Sequence, residues 1–284
     1  MPIGWVRLIG PQAPEEASGL CQTLNDSNPT RWSYFHDFLN DCIIIPGGTA
    51  TRANQYPWLA LIEYQKDGAK KHLCSGALIS GRYLLTAAHC VAGDIVILSE
   101  NFLTKERVDC AAAKAVGGNC TDTVLRIPIE SIIPHPEYNS NKTVQRNDIA
   151  LIRLWNWAPY TEHIRPICLP QTDITLNPPV DFKMVSAGWY NDKNNEPNDI
   201  SLDCKMAYGK PGGIQLSNKQ MCAGGKADSC VGGAGSPLAY DNERVFEAIG
   251  VFNFGPVPCG NRNTPEVFTK VIDYKDWILS NIKP

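Results

Sequence analysis

An all-β fold of antiparallel barrels or sandwiches, finished by a single C-terminal helix, is what this sequence predicts. Three observations carry that expectation. Short runs rich in β-branched and aromatic residues recur from Ile43 onward, Gly, Pro, Asn or Asp often punctuates the gaps between them, and only the last stretch places apolar residues at helical intervals. The 284 residues suit one large domain or two small ones. A composition of 43% hydrophobic and 19% charged residues excludes both a disordered tail and a coiled coil.

Taken in order, residues 1–42 form the least regular part of the chain, polar, Pro-containing and aperiodic. They are expected to be an N-terminal extension or a degraded module, with the main domain covering 43–284. The β runs are WLALIEY (58–64), GALIS (76–80), YLLTAA (83–88), VLRIPI (124–129), DIALIRL (148–154) and FEAIGVF (246–252). The stretch YKDWILSNI (274–282) is expected to be a helix packed on the body. No tandem repeat or low-complexity tract interrupts the domain.

Charge and cysteine content narrow the setting. The 26 Lys and Arg against 29 Asp and Glu give a formal charge of −3, with no densely basic stretch, so nucleic acid and anionic membranes are not expected partners. No apolar run approaches the roughly 18–20 residues that cross a bilayer, and MPIGWVRLIG is too short and interrupted for a secretory h-region. Eleven cysteines without a CxxC pair or zinc-ligand spacing argue for disulfides and a secreted, extracellular protein whose signal peptide is not in this chain. No cofactor or metal is expected. Three N-x-S/T sequons, at Asn25, Asn119 and Asn141, fit that setting but carry little weight.

The chemistry-bearing motifs are a histidine beside a cysteine in LLTAAHC (84–90), an aspartate in NDIALIRL (147–154) and the Gly-rich DSCVGGAGSPL (228–238). With the flanking PWLALI, CSGALIS, PICLP, AGW, MCAGG and TPEVFTKV, the chain from about residue 43 to 284 resembles the trypsin/chymotrypsin family of serine proteases. The resemblance implies a chymotrypsin-like double β-barrel of two six-stranded antiparallel barrels, with the reactive residues between them. It implies His89 as general base and Asp148 as the carboxylate that orients it. The nucleophile position, however, is Ala234, and a methyl group cannot attack a carbonyl. Ser236 lies two residues further on, about 6–7 Å along extended chain and out of hydrogen-bond reach of His89.

Other positions depart from the family as well. Gly233 stands where the family has an aspartate that pairs with the newly cleaved N-terminus and shapes the oxyanion hole, here implied at Gly232 and Ala234. The sequence resembling the activation site is Ile44, Ile45, Pro46, Gly47, Gly48, with no preceding Lys or Arg, and Pro46 lacks a backbone donor. The implied pocket residues are Asp228, Asn253, Phe254, Gly255 and Glu266. Glu266 replaces a glycine that keeps the pocket open. Either its carboxylate fills the slot, or it turns outward and leaves a pocket specific for basic residues; two carboxylates sharing the slot would repel. A purely structural reading holds at each site: His89 and Asp148 fixing the seam between barrels, and Glu266 filling a cavity.

The same resemblance implies the disulfides Cys42–Cys168, Cys74–Cys90, Cys204–Cys222 and Cys230–Cys259. Cys110 with Cys120 is similar to the extra loop disulfide of arthropod clip-domain proteases, and Cys21 is left over. Between Trp189 and Cys204 lie only fourteen residues, YNDKNNEPNDISLD. The family has roughly ten more there, including a strand, which leaves the completeness of the second barrel open.

The sequence reading is therefore an inactive serine protease homologue that binds or regulates extracellular proteases or proenzymes. By analogy with clip-type homologues the setting is innate immunity, through a prophenoloxidase or Toll-type cascade. The alternatives are an active secreted trypsin-like endopeptidase and a decaying gene product without a partner.

Overall fold

The computed structural model describes residues 5–9, 56–66, 69–91, 124–139, 145–160, 164–179, 182, 184–186, 204, 208, 214–223, 233–242, 245–255 and 265–283. The first six strands are β1 (Trp5–Ile9), β2 (Leu59–Lys66), β3 (Ala69–Ser80), β4 (Tyr83–Thr86), β5 (Val124–Pro134) and β6 (Ala150–Leu154). They close into an antiparallel barrel in the order β1-β2-β3-β4-β6-β5. A second, five-stranded sheet contains β7 (Met184–Ser186), β8 (Gln220–Ala223), β9 (Pro237–Asp241), β10 (Phe246–Phe254) and β11 (Glu266–Lys270), in the order β7-β9-β10-β11-β8. The all-β fold expected from the sequence is thus the observed one, and each of the six β runs named above contributes to a strand.

Local sequence explains how the first barrel curls. β2 and β3 pair from Leu59↔Ala77 to Lys66↔Ala69 across the dipeptide Asp67-Gly68, a pair of residues suited to tight hairpin turns. The register shifts between Ile62 and Glu63, and such an irregularity sharpens local twist. Every residue of β4 is buried, and β6 is buried except at Arg153. Runs that are apolar throughout belong to strands covered on both faces, and here the covers are the barrel interior and the packed seam outside it.

Two apolar clusters follow from this arrangement. The larger gathers Trp58, Ile62, Leu78, Leu84, Leu151 and Ile152 of the first barrel with Tyr274 and Ile278 from the C-terminal segment. The smaller contains Met184, Met221, Leu238, Ile249 and Phe268 of the second sheet. A 3₁₀ turn over Val271–Tyr274 leads into helix α1 (Lys275–Asn281), whose buried residue is Ile278. The helix packs on the body as expected, and Lys283 N donates to Tyr83 Oη at 3.0 Å.

The connection between the two sheets holds the seam in register. Ile167 N donates to Leu78 O at 2.8 Å on one side, while Ala248 N donates to Cys168 O at 2.8 Å on the other. Trp58 and Phe246, one from each half, meet with ring centroids 5.0 Å apart.

Two features differ from, or extend, the sequence reading. Residues 5–9, assigned from sequence to an extension, form β1 inside the first barrel; the 42/43 boundary itself lies outside the described residues. A five-residue run centred on Arg7 has too little periodicity to be read as a strand, and its neighbours rather than its own pattern define it. The second sheet has five strands among the described residues, with β7 and β8 at the ends of its order. The short segment after Trp189 also lies outside the described residues.

Candidate functional site between the two sheets

His89 sits in a 3₁₀ turn, Ala88–Cys90, that directly follows β4. The Cys74–Cys90 disulfide ties this turn to β3, with Cα atoms 6.0 Å apart. Asp148 lies in the segment entering β6, fully buried. Its Oδ2 is 2.6 Å from His89 Nδ1, and its Oδ1 accepts a 2.7 Å hydrogen bond from His89 N. One carboxylate thus fixes both the ring and the backbone of the same histidine. The His89 side chain keeps 23% exposure, so the ring is anchored on its Nδ1 side while part of it faces solvent.

The aspartate and its loop are held by Thr269, Asn147 and Tyr274, none of them a site residue expected from the sequence, and by Asn253, which the family resemblance places in the pocket. Thr269 Oγ1 in β11 donates to Asp148 O at 2.9 Å, which couples the second sheet to the first. Asn147 has φ 54°, a left-handed conformation that asparagine tolerates better than most residues. Its Oδ1 accepts a 2.8 Å hydrogen bond from Tyr274 Oη, so the strained turn is pinned from the C-terminal segment. Asn253 Nδ2 reaches Gln145 O at 2.7 Å and ties β10 to the same loop. Burial and the negative charge of Asp148 push the Tyr138 hydroxyl up to about 12.

The Gly-rich turn is described from Gly233 onward; Gly232 and Asp228 lie outside the described residues. Ala234 is half-buried and packs against the larger core cluster. Its carbonyl accepts a 2.8 Å hydrogen bond from Ser75 N, next to the Cys74 that is bonded to Cys90. Gly235 has φ +76°, and a Cβ there would lie 2.2 Å from Thr86 Oγ1 and 2.4 Å from Ser75 O. Only glycine fits between this turn and the β3–β4 pair. Ser236 N donates to Gly233 O at 2.8 Å, closing the turn. The Ser236 side chain is fully buried, and its Oγ has no hydrogen-bond partner among the described residues.

At the far end of β10, Phe254 and Gly255 face the start of β11. Glu266 is 6% exposed, and a Cβ on Gly255 would meet its Cγ at 3.4 Å and its Oε1 at 3.6 Å. The side chain is turned inward, one of the two orientations the sequence left open. Neither carboxylate oxygen has a hydrogen-bond partner among the described residues. Desolvation pushes its carboxyl up to about 8. Tyr208 closes this corner, donating from Oη to Pro265 O at 2.6 Å and meeting Phe254 edge to face at 6.0 Å. Burial and then the nearby Glu266 push that phenol up to about 12. Nothing in its sequence context, MAYG, flagged Tyr208.

Among the remaining cysteines, Cys204 is bonded to Cys222. Cys168 is also disulfide-bonded, while Cys21, Cys42, Cys110, Cys120, Cys230 and Cys259 lie outside the described residues. Ligand atoms of Cys74, His89 and Cys90 lie within 4.8 Å of one another. Both sulfurs are spent in the disulfide, so this cluster offers no thiolate to a metal.

A hydrogen-bonded His–Asp pair at the seam of two antiparallel sheets, beside a Gly-rich turn, is matched at the family level. The family model described as Trypsin covers residues 45–278. The chain belongs to the trypsin family. Phenoloxidase-activating enzyme of Bombyx mori is 40% identical over 268 residues, which cover 84% of this trypsin-family chain and 61% of that protein. Melanization protease 1 of Drosophila melanogaster is 38% identical, over 84% of this chain and 66% of its own length. CLIP domain-containing serine protease HP8 of Bombyx mori is 35% identical, with coverage of 84% and 69%. The chain thus spans less than two thirds of the length of the first two relatives. No helix among the described residues is long and apolar enough to cross a membrane.

Proposed function

We propose that this trypsin-family chain is a non-catalytic serine protease homologue that acts as a binding or regulatory partner of extracellular proteases or proenzymes. The observation that carries the reading is Ala234. By resemblance it stands at the family's nucleophile position, and the hydrogen bond from Ser75 N to Ala234 O holds its turn against β3, beside the disulfide that anchors His89. His89 and Asp148 keep the geometry of a base and its orienting carboxylate, yet the residue opposite them in the family mechanism has no hydroxyl to deprotonate. Ser236, the nearest hydroxyl along the turn, is fully buried and therefore closed to a substrate.

Two further sequence features support the same reading. Gly233 supplies no carboxylate for a cleaved N-terminus, and no basic residue precedes Ile44 or Ile45 for an activating protease to cut. The names of the relatives, a phenoloxidase-activating enzyme and a melanization protease among them, favour a melanisation cascade as the setting and an extracellular location. We take 43–284 as the protease-like domain and 1–42 as an extension from which Trp5–Ile9 adds strand β1 to the first barrel.

The test is reconstitution. The purified protein is added to a clip-type protease and its proenzyme substrate, and the rate of proenzyme cleavage is followed. A dose-dependent change in that rate, unaltered by His89→Ala, is the expected result. An effect abolished by His89→Ala would mean that the protein acts by hydrolysis.

A further inference from the structure

The turn that follows β5 is organised by a second histidine, apart from the His89–Asp148 pair. His135 is half-buried, and its Nδ1 accepts a 3.2 Å hydrogen bond from Glu137 N. Its carbonyl accepts from Tyr138 N at 2.9 Å, and its own N donates to Ile149 O at 3.0 Å. The ring meets Tyr274 at an interplanar angle of 85°, with centroids 5.2 Å apart, and lies 5.1 Å from the ring of Trp277 in α1. An imidazole nitrogen accepts only while it carries no proton, and in the imidazolium both nitrogens are donors. Protonation at Nδ1 therefore sets one N–H against another and breaks the bond from Glu137 N.

The same turn is tied to Asp148. Glu137 O accepts from Asn147 Nδ2 at 3.3 Å, and Asn147 Oδ1 accepts from Tyr274 Oη at 2.8 Å. Asn147 has φ 54°, and a left-handed backbone away from glycine persists only where its surroundings hold it. The next residue, Asp148, fixes both the ring and the backbone of His89. The groups that act on the His135 ring come from three elements. Burial holds the imidazole below its ordinary 6.5, while Glu137 on the same turn draws it up and Lys219, just before β8, draws it down. Lys219 Nζ also stands 5.0 Å from the centroid of the Tyr274 ring. Burial, and then the charges of Asp273, Glu137 and Asp148, push the Tyr274 phenol up, so it stays a donor to Asn147 in the range where a histidine titrates.

We infer that His135 is a proton-sensing latch: in its neutral form it closes the turn that positions Asp148 through Asn147, and its protonation releases that turn. The device acts on the His89–Asp148 pair whether or not the chain is catalytic.

The experiment follows, from about pH 7.5 down to about pH 5, the protection of the Glu137 amide against hydrogen exchange, corrected for the intrinsic rate, and the NMR titration of the His89 ring. In the parent, protection should fall by up to about tenfold for each pH unit below about 6.5, because opening takes up one proton. An asparagine side chain accepts from the amide two residues on and does not titrate, so His135→Asn should keep its protection throughout. His135→Phe retains an aromatic ring without the acceptor and should lack the protection throughout. The His89 titration should carry a second inflection in the parent that is absent from His135→Asn. Acid acts in the opposite sense at Glu266, whose carboxyl is held protonated by burial, so that group does not account for a loss of protection on acidification. If His135→Phe does not fold, the comparison of the parent with His135→Asn carries the test. Protection at Glu137 that is flat in the parent, or that falls equally in His135→Asn, would overturn the proposal, as would His89 titration curves that superimpose for the two proteins.

Discussion

Replacing Ala234 with serine is expected to leave amidase activity at background. The change supplies a hydroxyl to a turn already fixed against β3, and His89 with Asp148 is hydrogen-bonded in the arrangement a general base needs. A nucleophile nevertheless acts only with its surroundings. By family resemblance, an aspartate at the Gly233 position pairs with a freshly cut N-terminus and orients the oxyanion donors, and the loss of a single such donor costs about 10²–10³ in rate. Glu266 is turned inward against Gly255, and in the pocket that the family resemblance implies there a substrate side chain would meet a carboxyl group rather than open space. A substrate held off by even about 1 Å can lose a further 10²-fold. Activity is expected only when Ala234→Ser is joined by Gly233→Asp, Glu266→Gly and Ile44→Arg, with cleavage after the new arginine. Hydrolysis of a basic peptide amide, compared for the single and the fourfold variant, checks this. Robust turnover by Ala234→Ser alone would show that turn and pocket already stand in a working arrangement.

The second large effect is a pH-dependent stability set by Glu266. Its carboxyl is pushed from the ordinary 4.5 to about 8 by burial, and neither oxygen has a hydrogen-bond partner among the described residues. Below pH 4.5 the group is protonated in both folded and unfolded chains and costs nothing extra. As pH rises from 4.5 toward 8 the unfolded chain releases the proton while the folded chain retains it, so stability falls across that window. The loss is on the order of 4–5 kcal/mol by pH 8, because each tenfold difference in proton affinity between the two states corresponds to about 1.4 kcal/mol. Glu266→Gln keeps the shape and removes the titration. Urea unfolding at pH 5 and pH 8 should show the variant gaining on the parent as pH rises. An equal difference at the two pH values would mean that Glu266 is ionised or paired in the folded protein.

The fold was largely legible because each β run is apolar on the face that becomes buried. YLLT is buried at every position, and ALIRL at every position but Arg153. Periodicity captures such strands whatever their partners. β1 was not legible for the opposite reason: WVRLI is made a strand by the edges of β2 and β5, which are brought together only by closure of the barrel. At the site, the pairing of His89 with Asp148 is what the family resemblance implies, and the hydrogen bond joins residues 59 apart in sequence. The supports behind it are not. Thr269 reaches Asp148 O over a separation of 121 residues, and Tyr208 reaches Pro265 O over 57, contacts for which local sequence carries no signal. The burial of Ser236 was equally hidden, since it follows from how tightly Gly235 lets the turn approach Thr86.

The most direct test of a non-catalytic role supplies the activation cut and asks whether anything else is missing. The chain carrying Ile44→Arg is cleaved after that arginine, freed of the activating protease, and assayed against a basic peptide amide and an active-site titrant. The account predicts no burst, no turnover above about the residual acceleration left by a triad without its nucleophile, and no further change on His89→Ala. A stoichiometric burst with turnover that disappears in His89→Ala would contradict it.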